Sequence, residues 1–176
     1  MNNFIEEYKI NNQLCNRIIS HFENSKDIEH LKNEYVDMFQ VFRTLDEPLM
    51  MEYLYEIQDP IKNYKDKYDL DKITGYWQLD TNIKIQKYNP GEGYFTLHCE
   101  RTGLYNCLRH LVFMTYLNDV TDKGQTERHY QKLKVKPKKG LTIIWGTDWT
   151  FMHKGIVSPT QTKYIATGWY NYIKDR

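Results

Sequence analysis

Residues 95–100 read Phe-Thr-Leu-His-Cys-Glu, and they carry the first clear pattern in the chain. Apolar or thiol side chains alternate with polar ones, a period of two that predicts a β-strand. Alternate side chains of a strand share a face, so we expect His98 and Glu100 to lie side by side. An imidazole and a carboxylate so placed can reach one metal ion. Two polar residues on a solvated face would give the same pattern.

A second segment, Trp149-Thr150-Phe151-Met152-His153, adds another histidine about fifty residues later. Two histidines and one carboxylate form the facial triad of non-haem iron oxygenases, which leaves metal positions open for other ligands. Taken alone, His153 could equally be a core histidine bonded to a backbone carbonyl. The same residue types also hold zinc in hydrolases, although the chain has no His-Glu-x-x-His motif.

Lys163 follows His153 by ten residues, with Ser158 and Pro159 between them as turn residues. If this segment forms an antiparallel hairpin, positions 153 and 163 face one another with Cβ atoms about 4.5–5.5 Å apart. The ammonium would then enter the pocket near the metal. This suits a cosubstrate that chelates the metal at one end and carries a free carboxylate at the other. A surface cation is the alternative.

The rest of the chain predicts helices first and strands afterwards. Apolar spacing predicts helices over 12–22 and 47–64, the second kinked or interrupted by Pro60. A short strand is expected over 35–42. Further strands are expected over 83–86, 111–117, 141–145 and 164–172. This order favours a β-sandwich or barrel with helices on one outer face. Because no linker or repeat divides the sequence, we expect one domain over 1–176.

Composition excludes several classes of partner and location. The 176 residues carry a formal net charge of +1, which gives no electrostatic signal for nucleic acid or an anionic membrane. A basic run over 132–139 is interpreted as the exposed face of a strand, with a patch that binds polyanions as the alternative. The three cysteines are an odd number without paired spacing, which favours a reducing compartment. Neither a signal peptide nor an apolar run of 18 residues is visible in the sequence. We therefore expect a soluble, cytoplasmic protein.

Several segments together resemble a known family. They are Gln86-Lys87-Tyr88-Asn89-Pro90-Gly91, His98-Cys99-Glu100, Arg109 to Asp119, Lys136 to Gly140 and His153 to Lys163. In this order and spacing they resemble the prolyl-4-hydroxylase-like branch of the 2-oxoglutarate/Fe(II) oxygenases over about residues 80–172. Within that branch the chain is most similar to small single-domain members carried by bacterial viruses. The resemblance implies a mainly β fold, a double-stranded β-helix (a cupin-like jelly roll) over about 75–173. N-terminal α-helices over about 1–70 would support it.

The resemblance also implies a site and a reaction. The iron ligands would be His98, Glu100 and His153. Lys163 would bind the far (C5) carboxylate of 2-oxoglutarate. Tyr88 and Tyr116 would form hydrogen bonds with 2-oxoglutarate. With Fe(II), 2-oxoglutarate and O₂ the protein would couple decarboxylation of the cosubstrate to C–H hydroxylation, in the host cytoplasm if the protein is viral.

The substrate is left open by the sequence. Peptidyl proline is the family-level expectation, a small molecule or a nucleobase is an alternative, and a non-catalytic metal-binding jelly-roll module is another. Four aromatic residues in or beside the predicted metal-bearing strands are interpreted as barrel core rather than as a recognition surface: Trp145, Trp149, Trp169 and Tyr170. Arg101 and Arg128 would be either residues at the pocket mouth or solvated cations.

The sequence departs from the family pattern at two places. The first ligand pair is His-x-Glu where the family has His-x-Asp, so the carboxylate of Glu100 is kept with one more methylene. The Gly-Gly-x-Thr-like turn reads Lys-Gly-Gln-Thr over 123–126. His129, just beyond this turn, is a candidate ligand or substrate contact, with a surface histidine as the favoured alternative.

Overall fold

A computed structural model describes residues 2–174 of the chain. The helices are α1 (Asn12–Glu23), α2 (Pro48–Lys67) and α3 (Leu70–Ile73). The strands are β1 (Glu6–Lys9), β2 (Glu29–Lys32), β3 (Val36–Thr44), β4 (Trp77–Leu79), β5 (Asn82–Tyr88), β6 (Gly93–Tyr94), β7 (Arg109–Tyr116), β8 (Thr126–Arg128), β9 (Leu133–Val135), β10 (Leu141–Gly146), β11 (His153–Gly155) and β12 (Lys163–Tyr172). Short 3₁₀ turns lie at Leu104–Asn106 and Trp149–Phe151.

Two antiparallel sheets face one another. The large sheet runs in the order β1-β10-β7-β12-β5-β3-β2, with β4 paired to β12 and β6 paired to β3. The small sheet has the order β11-β8-β9. Val135 of the small sheet packs in one apolar cluster with Met114 and Trp145 of the large sheet. The predicted jelly roll, a double-stranded β-helix with helices on one side, is confirmed.

Alternation along the central strands explains why the large sheet has two covered faces. In β7, Leu111 and Phe113 belong to the apolar cluster that includes the helices. Val112, Met114 and Tyr116 belong to the cluster between the two sheets. A strand buried on both faces reads as a continuous apolar run, as residues 111–117 do. The inner face of this sheet is therefore free to build a site against the small sheet.

The helices cover the outer face of the large sheet. Helix α1 begins after Asn11, whose side chain accepts a hydrogen bond from the backbone N–H of Gln13 at 2.8 Å. Helix α2 begins at Pro48 and continues through Pro60, so of the two expected effects of this proline the interruption does not occur. Ile57 and Ile61 are buried on either side of that proline, and their packing holds the helix where the ring removes one backbone hydrogen bond.

Most predicted strands are confirmed, but the strand over 95–100 is wrong. Only Gly93–Tyr94 forms a short strand there, and His98 makes an isolated bridge to His153. The next N–H groups form no ladder with a neighbouring strand, because those of Glu100 and Arg101 both donate to the carbonyl of Thr147. The segment is therefore an anchored loop. Its burial does not follow the alternation either, since Phe95 is 41% exposed whereas the side chain of Glu100 is only 11% exposed.

The predicted hairpin between His153 and Lys163 is also wrong. In the small sheet His153 faces Arg128, whereas Lys163 faces Tyr88 in the large sheet. The connecting segment crosses from one sheet to the other, held by hydrogen bonds from Ile156 N–H to Gln125 and from Gly91 N–H to Ser158. These partners take the backbone groups that a hairpin would have needed.

The remaining sequence expectations concern the surface. Of the basic run over 132–139, only Leu133–Val135 is strand, and Lys132 and Lys134 are exposed. The three cysteines are free thiols, of which Cys15 is buried. No helix within residues 2–174 combines the length and the apolar character needed to cross a membrane.

Gly168 tests how tightly the outer face of the large sheet is packed. A Cβ atom at this position would collide with the ring of Phe113 and lie 2.8 Å from Cδ1 of Ile83. Gly168→Ala should therefore lower the free energy of unfolding by about 1–3 kcal/mol through overpacking. Urea unfolding measures this. Gly75→Ala, which adds a methyl where no atom lies within 4 Å, is the matched control, and an equal effect in both variants would contradict this packing.

Candidate active site

Three side chains converge at one end of the space between the sheets. Suitable ligand atoms of His98, Glu100 and His153 all lie within 4.8 Å of one another. The Nε2 atom of His153 is 3.3 Å from Oε1 of Glu100, and the two imidazole centroids are 4.3 Å apart. The fold thus brings together the three residues that the sequence predicts as metal ligands.

Backbone hydrogen bonds fix where these side chains start. The N–H of His98 donates to the carbonyl of His153 at 2.9 Å, and the N–H of His153 donates back at 2.8 Å. The N–H of Glu100 donates to Thr147 at 3.1 Å. Such a reciprocal pair sets two Cα atoms directly opposite one another. The loop that carries two of the three side chains is therefore tied to the strand that carries the third.

Each imidazole is oriented by a carbonyl two residues before it. Nδ1 of His98 lies 3.0 Å from the carbonyl of Thr96, and Nδ1 of His153 lies 2.9 Å from that of Phe151. Because a carbonyl can only accept, each Nδ1 carries the proton. The Nε2 lone pairs are then available at the centre of the cluster, as metal-ligating histidines require.

Glu100 is held in its ionised form. Burial alone would raise its pKa, but hydrogen bonding and charge from His153, with further help from His98 and Trp169, lower the pKa of Glu100 to about 2. The indole Nε1 of Trp169 donates to Oε2 at 2.8 Å, and the guanidinium of Arg109 lies 3.5 Å from the same oxygen. The carboxylate is therefore charged and fixed in direction.

The histidines complete a donor set that suits a divalent metal. Burial, followed by the neighbouring His153, lowers the pKa of His98 to about 4, so its imidazole is neutral at physiological pH. The ring of Tyr94 packs against it with centroids 3.9 Å apart. Two imidazoles that present Nε2 and one carboxylate fit Fe(II), and by donor type they would also fit zinc.

A cavity of about 410 Å³ extends from this cluster between the sheets. Its lining includes Lys84, Gln86, Tyr88, Tyr94, Arg109, Met114, Thr126, Trp145, Lys163, Ile165, Thr167 and Trp169. A larger cavity of about 770 Å³ lies beside the Arg101–Asp148 ion pair, and none of the three clustered donors lines it. The smaller cavity is therefore the one where chemistry at the cluster can take place.

Lys163 lies deep in this cavity. Its side chain is only 5% exposed, and Nζ donates to the carbonyl of Gly124 at 3.2 Å and lies 4.9 Å from the ring centroid of Tyr88. Burial lowers the pKa of Lys163 to about 8. Within residues 2–174 no carboxylate oxygen lies within 4.0 Å of this ammonium. A buried cation without a counterion favours an anionic ligand.

The two predicted tyrosines differ in position. Tyr88 lines the cavity, and its hydroxyl accepts a hydrogen bond from Gln86 at 2.7 Å, which leaves its own proton to donate. Tyr116 is fully buried outside the cavity lining, with its hydroxyl bonded to Thr126. Since Thr126 lines the cavity, Tyr116 reaches it only through that threonine.

Other candidates from the sequence lie elsewhere. His129 is exposed and outside the cavity lining, as the favoured alternative had it. Arg128 is neither a mouth residue nor a solvated cation, because it is fully buried with its guanidinium 3.6 Å from the centroid of Trp145. Arg101 forms an ion pair with Asp148. Trp145 and Trp169 are buried, as expected of core aromatics, and they also line the cavity. Tyr170 is partly buried. The assignment of Trp149 to the core is wrong, because it lies in a 3₁₀ turn and is 65% exposed.

Sequence reasoning missed several residues of the cavity. Trp169 holds Glu100, and Thr126 and Lys84 line the wall. The polar alternation of Lys84, Gln86 and Tyr88 along β5 was a usable signal, since residues two apart share a face. The contact between Trp169 and Glu100 joins positions 69 residues apart and leaves no local trace.

A second group of metal-competent side chains is less suited to a metal. His30, Asp37 and Glu92 lie close together near the edge of the large sheet, where His30 is exposed. The ammonium of Lys32 lies 2.7 Å from Asp37 and already neutralises that carboxylate. This ion pair and the exposure favour the cluster in the cavity.

The sequence comparison agrees with the geometry. The family model of the 2OG-Fe(II) oxygenase superfamily matches residues 83–171, half of the chain, a range that contains all three clustered donors and Lys163. The chain belongs to the 2OG-Fe(II) oxygenase superfamily. It is therefore an oxygenase that uses Fe(II), 2-oxoglutarate and O₂. No curated protein sequence matches this oxygenase significantly.

Solved structures share the fold of this oxygenase over nearly its whole length. Viral collagen prolyl hydroxylase from Paramecium Bursaria Chlorella virus-1, as its 2OG complex, has a TM-score of 0.75 at 17% identity, with 97% of each chain covered. A Pseudomonas putida prolyl-4-hydroxylase has a TM-score of 0.74 at 14% identity, covering 97% of this chain and 94% of the other. A Trichoplax adhaerens prolyl hydroxylase, in complex with a hypoxia inducible factor peptide fragment, has a TM-score of 0.73 at 16% identity. The match covers 96% of this chain and 84% of the other.

The hydrogen bond from Trp169 to Glu100 can be tested directly. Trp169→Phe keeps the apolar wall but removes the donor, so the carboxylate loses an orienting partner. We expect the affinity for Mn(II), measured by calorimetric titration, to fall roughly 10–100-fold. Trp149→Phe is the matched control, because Trp149 is 65% exposed and lies outside the cavity lining. Equal affinities for wild type and Trp169→Phe would contradict the orienting role.

Proposed function

We propose that His98, Glu100 and His153 hold Fe(II), and that Lys163 holds the C5 carboxylate of 2-oxoglutarate, in a hydroxylase of the prolyl-4-hydroxylase-like type. The observation that carries this proposal is the placement of a compact donor cluster and a buried, unpaired ammonium in one cavity. Neither feature alone would specify the cosubstrate. A ligand with a chelating end and a distant carboxylate satisfies both.

The protonation states support the metal assignment. With both imidazoles able to offer a neutral nitrogen and Glu100 ionised, the ligand set carries one negative charge. A divalent ion bound there keeps one positive charge, which favours an additional anionic chelator. Glutamate in place of the family's aspartate keeps this charge, and the bond from Trp169 restrains its longer side chain.

The far end of the cavity supports the cosubstrate assignment. Lys163 can form a charge-assisted hydrogen bond with a carboxylate, and Tyr88 and Thr126 line the same cavity from opposite sheets. Gly155 lies beside the ammonium, and a Cβ there would stand 3.5 Å from Nζ. We propose Tyr88 as a direct donor to 2-oxoglutarate. Tyr116 would act through its bond to Thr126.

The reaction follows from what these residues hold in place. When bound, Fe(II), 2-oxoglutarate and O₂ supply the oxidant that inserts one oxygen atom into a C–H bond, while 2-oxoglutarate becomes succinate and CO₂. The chain contributes coordination, orientation and a wall of Met114, Trp145 and Ile165 that excludes water. A non-catalytic module would have no need of all three donors together with a buried, unpaired lysine.

For the substrate, we propose a peptide containing proline as the first class to test. The support is the likeness in fold to prolyl hydroxylases whose names specify collagen and whose complexes include a peptide. Small molecules belong in the same screen. The net charge of +1 gives a nucleobase in nucleic acid no support.

We also propose that the chain works as one domain in the cytoplasm. The helices and the small sheet cover opposite faces of one large sheet, which supports a single unit. Three free thiols support a reducing compartment. Recovery of the natural protein with oxidised cysteine pairs would contradict this location.

The pKa of Lys163 predicts how cosubstrate binding depends on pH. The pairing needs the ammonium form, and burial lowers the pKa of Lys163 in the free protein to about 8. Affinity for 2-oxoglutarate should therefore be constant below about pH 7 and fall by up to about tenfold per pH unit well above pH 8. Calorimetric titration of the Mn(II)-loaded protein measures this. Lys163→Arg, whose guanidinium stays charged, should remove the dependence. An unchanged pH profile in that variant would contradict the pairing.

The proposed function has a direct spectroscopic and chemical test. Anaerobic addition of Fe(II) and 2-oxoglutarate should give a visible metal-to-ligand charge-transfer band. The band should be lost in His153→Ala and kept in His129→Ala, which removes an exposed histidine outside the cavity. In air, the wild type should convert 2-oxoglutarate to succinate. Iron binding without the band would favour a non-catalytic metal module.

A further inference from the structure

The cavity has a second cationic end. Lys84, Gln86 and Tyr88 alternate along β5, and all three line the cavity. On the neighbouring strand β12, Lys163 faces Tyr88 while Thr167 faces Lys84. The row of Lys84 therefore lies four residues, roughly 13 Å along the strand, from the row of Lys163. One lysine stands at each end of the same wall.

The ammonium of Lys84 has no carboxylate partner among the described residues. Within residues 2–174 no carboxylate oxygen lies within 4.0 Å of its Nζ. The ammonium lies over the ring of Phe42, 5.8 Å from the ring centroid. Burial lowers the pKa of Lys84 to about 8, against an opposing effect of Glu100. By contrast, Lys87 on the other face of β5 lies 2.9 Å from a carboxylate oxygen of Glu23. The cavity thus holds a partly buried cation that has no carboxylate partner within residues 2–174.

A count of charges shows that the cofactors do not neutralise this end. The lining carries three cations, Lys84, Arg109 and Lys163, against the single anion Glu100, a net charge of +2. Fe(II) adds two positive charges and 2-oxoglutarate removes two, so the loaded cavity keeps +2. Arg109 lies 3.5 Å from Glu100 and stacks on Trp169, with its guanidinium carbon 4.0 Å from the ring centroid. Lys84 is the lining cation that neither contacts Glu100 nor is assigned to 2-oxoglutarate.

We propose that the substrate carries a carboxylate that pairs with Lys84 and thereby positions the reacting C–H bond at the metal. This inference rests on the proposed function, since it assumes that 2-oxoglutarate occupies the Lys163 end. An anion held at the opposite end places the intervening part of the substrate beside the three donors. A buried charge costs free energy unless it is paired, so the substrate that pairs it gains affinity.

The surroundings of Lys84 suit a substrate with an apolar body. Phe42, 47% exposed, and Trp169 supply apolar walls on either side of the polar row. Tyr105 and Asn106, from the loop after Glu100, line the outer part of the cavity, and Tyr105 is fully exposed. The carboxylate could belong to a free amino acid or to an acidic side chain of a peptide, because the recognition chemistry is the same.

The test uses matched probes that differ only in the carboxylate. One pair is L-proline and L-prolinamide; the other is a blocked peptide with Glu beside Pro and its Gln counterpart. Binding to the protein loaded with Mn(II) and 2-oxoglutarate is measured by calorimetry, so that no turnover is needed. In at least one pair the carboxylate probe should bind more tightly than the amide. The responding pair tells whether the substrate is a free amino acid or a peptide.

Lys84→Gln should weaken binding of that carboxylate probe roughly 10–100-fold and leave binding of its amide unchanged. Lys84→Arg should restore most of the affinity. Lys87→Gln is the matched control, since it removes a lysine from the other face of the same strand and should change neither probe. Equal binding of carboxylate and amide to the wild type, or no binding of any carboxylate probe, would overturn the proposal.

Failure of this inference can be told apart from failure of the proposed function. Lys84→Gln should keep the charge-transfer band formed by Fe(II) and 2-oxoglutarate, because Lys84 lies at the other end of the cavity from Lys163. A wild-type protein that lacks the band contradicts the proposed function. A band in both proteins, with no preference for carboxylate probes, contradicts the role of Lys84 alone.

Discussion

The reciprocal backbone hydrogen bonds between His98 and His153 are the constraint on which the site depends. The loop after β6 has no strand partner of its own, and these two bonds fasten it to the small sheet. The carbonyl of Thr147 fixes the same loop two residues later. Without the bridge, Glu100 and one imidazole would stand on a free loop, and three donors could not stay within one coordination sphere. The fold thus supplies the rigidity that the loop lacks.

A second theme is that the charges lining this cavity are arranged around a ligand rather than around one another. Glu100 has partners that keep it ionised. Lys163, which is buried, and Lys84, which is partly buried, have no carboxylate partner within residues 2–174. Unpaired buried cations destabilise a fold unless something compensates them. A dianionic cosubstrate and an acidic substrate would do so, so binding and stability are coupled in this cavity. Such an arrangement gives up stability in the free protein for specificity in the complex.

Much of the fold could be predicted from the sequence because its signals are local. The apolar run over 111–117 and the alternation over 83–86 identified central strands that are covered on both faces, and the spacing of apolar residues found α1. The prediction of a strand over 95–100 failed because the N–H groups of Glu100 and Arg101 donate to Thr147, and alternation of residue types does not report such long-range bonds. The hairpin at Ser158 failed because the partners of that segment lie in distant strands.

The site was predicted in part for the same reason. Histidine or glutamate at 98, 100 and 153 is typical of a metal ligand, and lysine at 163 is typical of an anion-binding residue. The fold brings all four to one cavity. No local sequence pattern predicts the contacts around these residues. The hydrogen bond from Trp169 to Glu100 and the burial of Arg128 against Trp145 arise only from tertiary packing. Arginine is usually a surface residue, so sequence reasoning placed Arg128 on the outside.

The central claim, that one metal ion bridges the loop after β6 and the small sheet, is tested most directly by anomalous diffraction. A crystal of the protein grown with Mn(II) and 2-oxoglutarate should give one strong anomalous peak, within coordination distance of His98, Glu100 and His153. Density for the cosubstrate should run from that peak to Lys163. A peak at His30, Asp37 and Glu92 instead, or cosubstrate density that ends away from Lys163, would contradict this account.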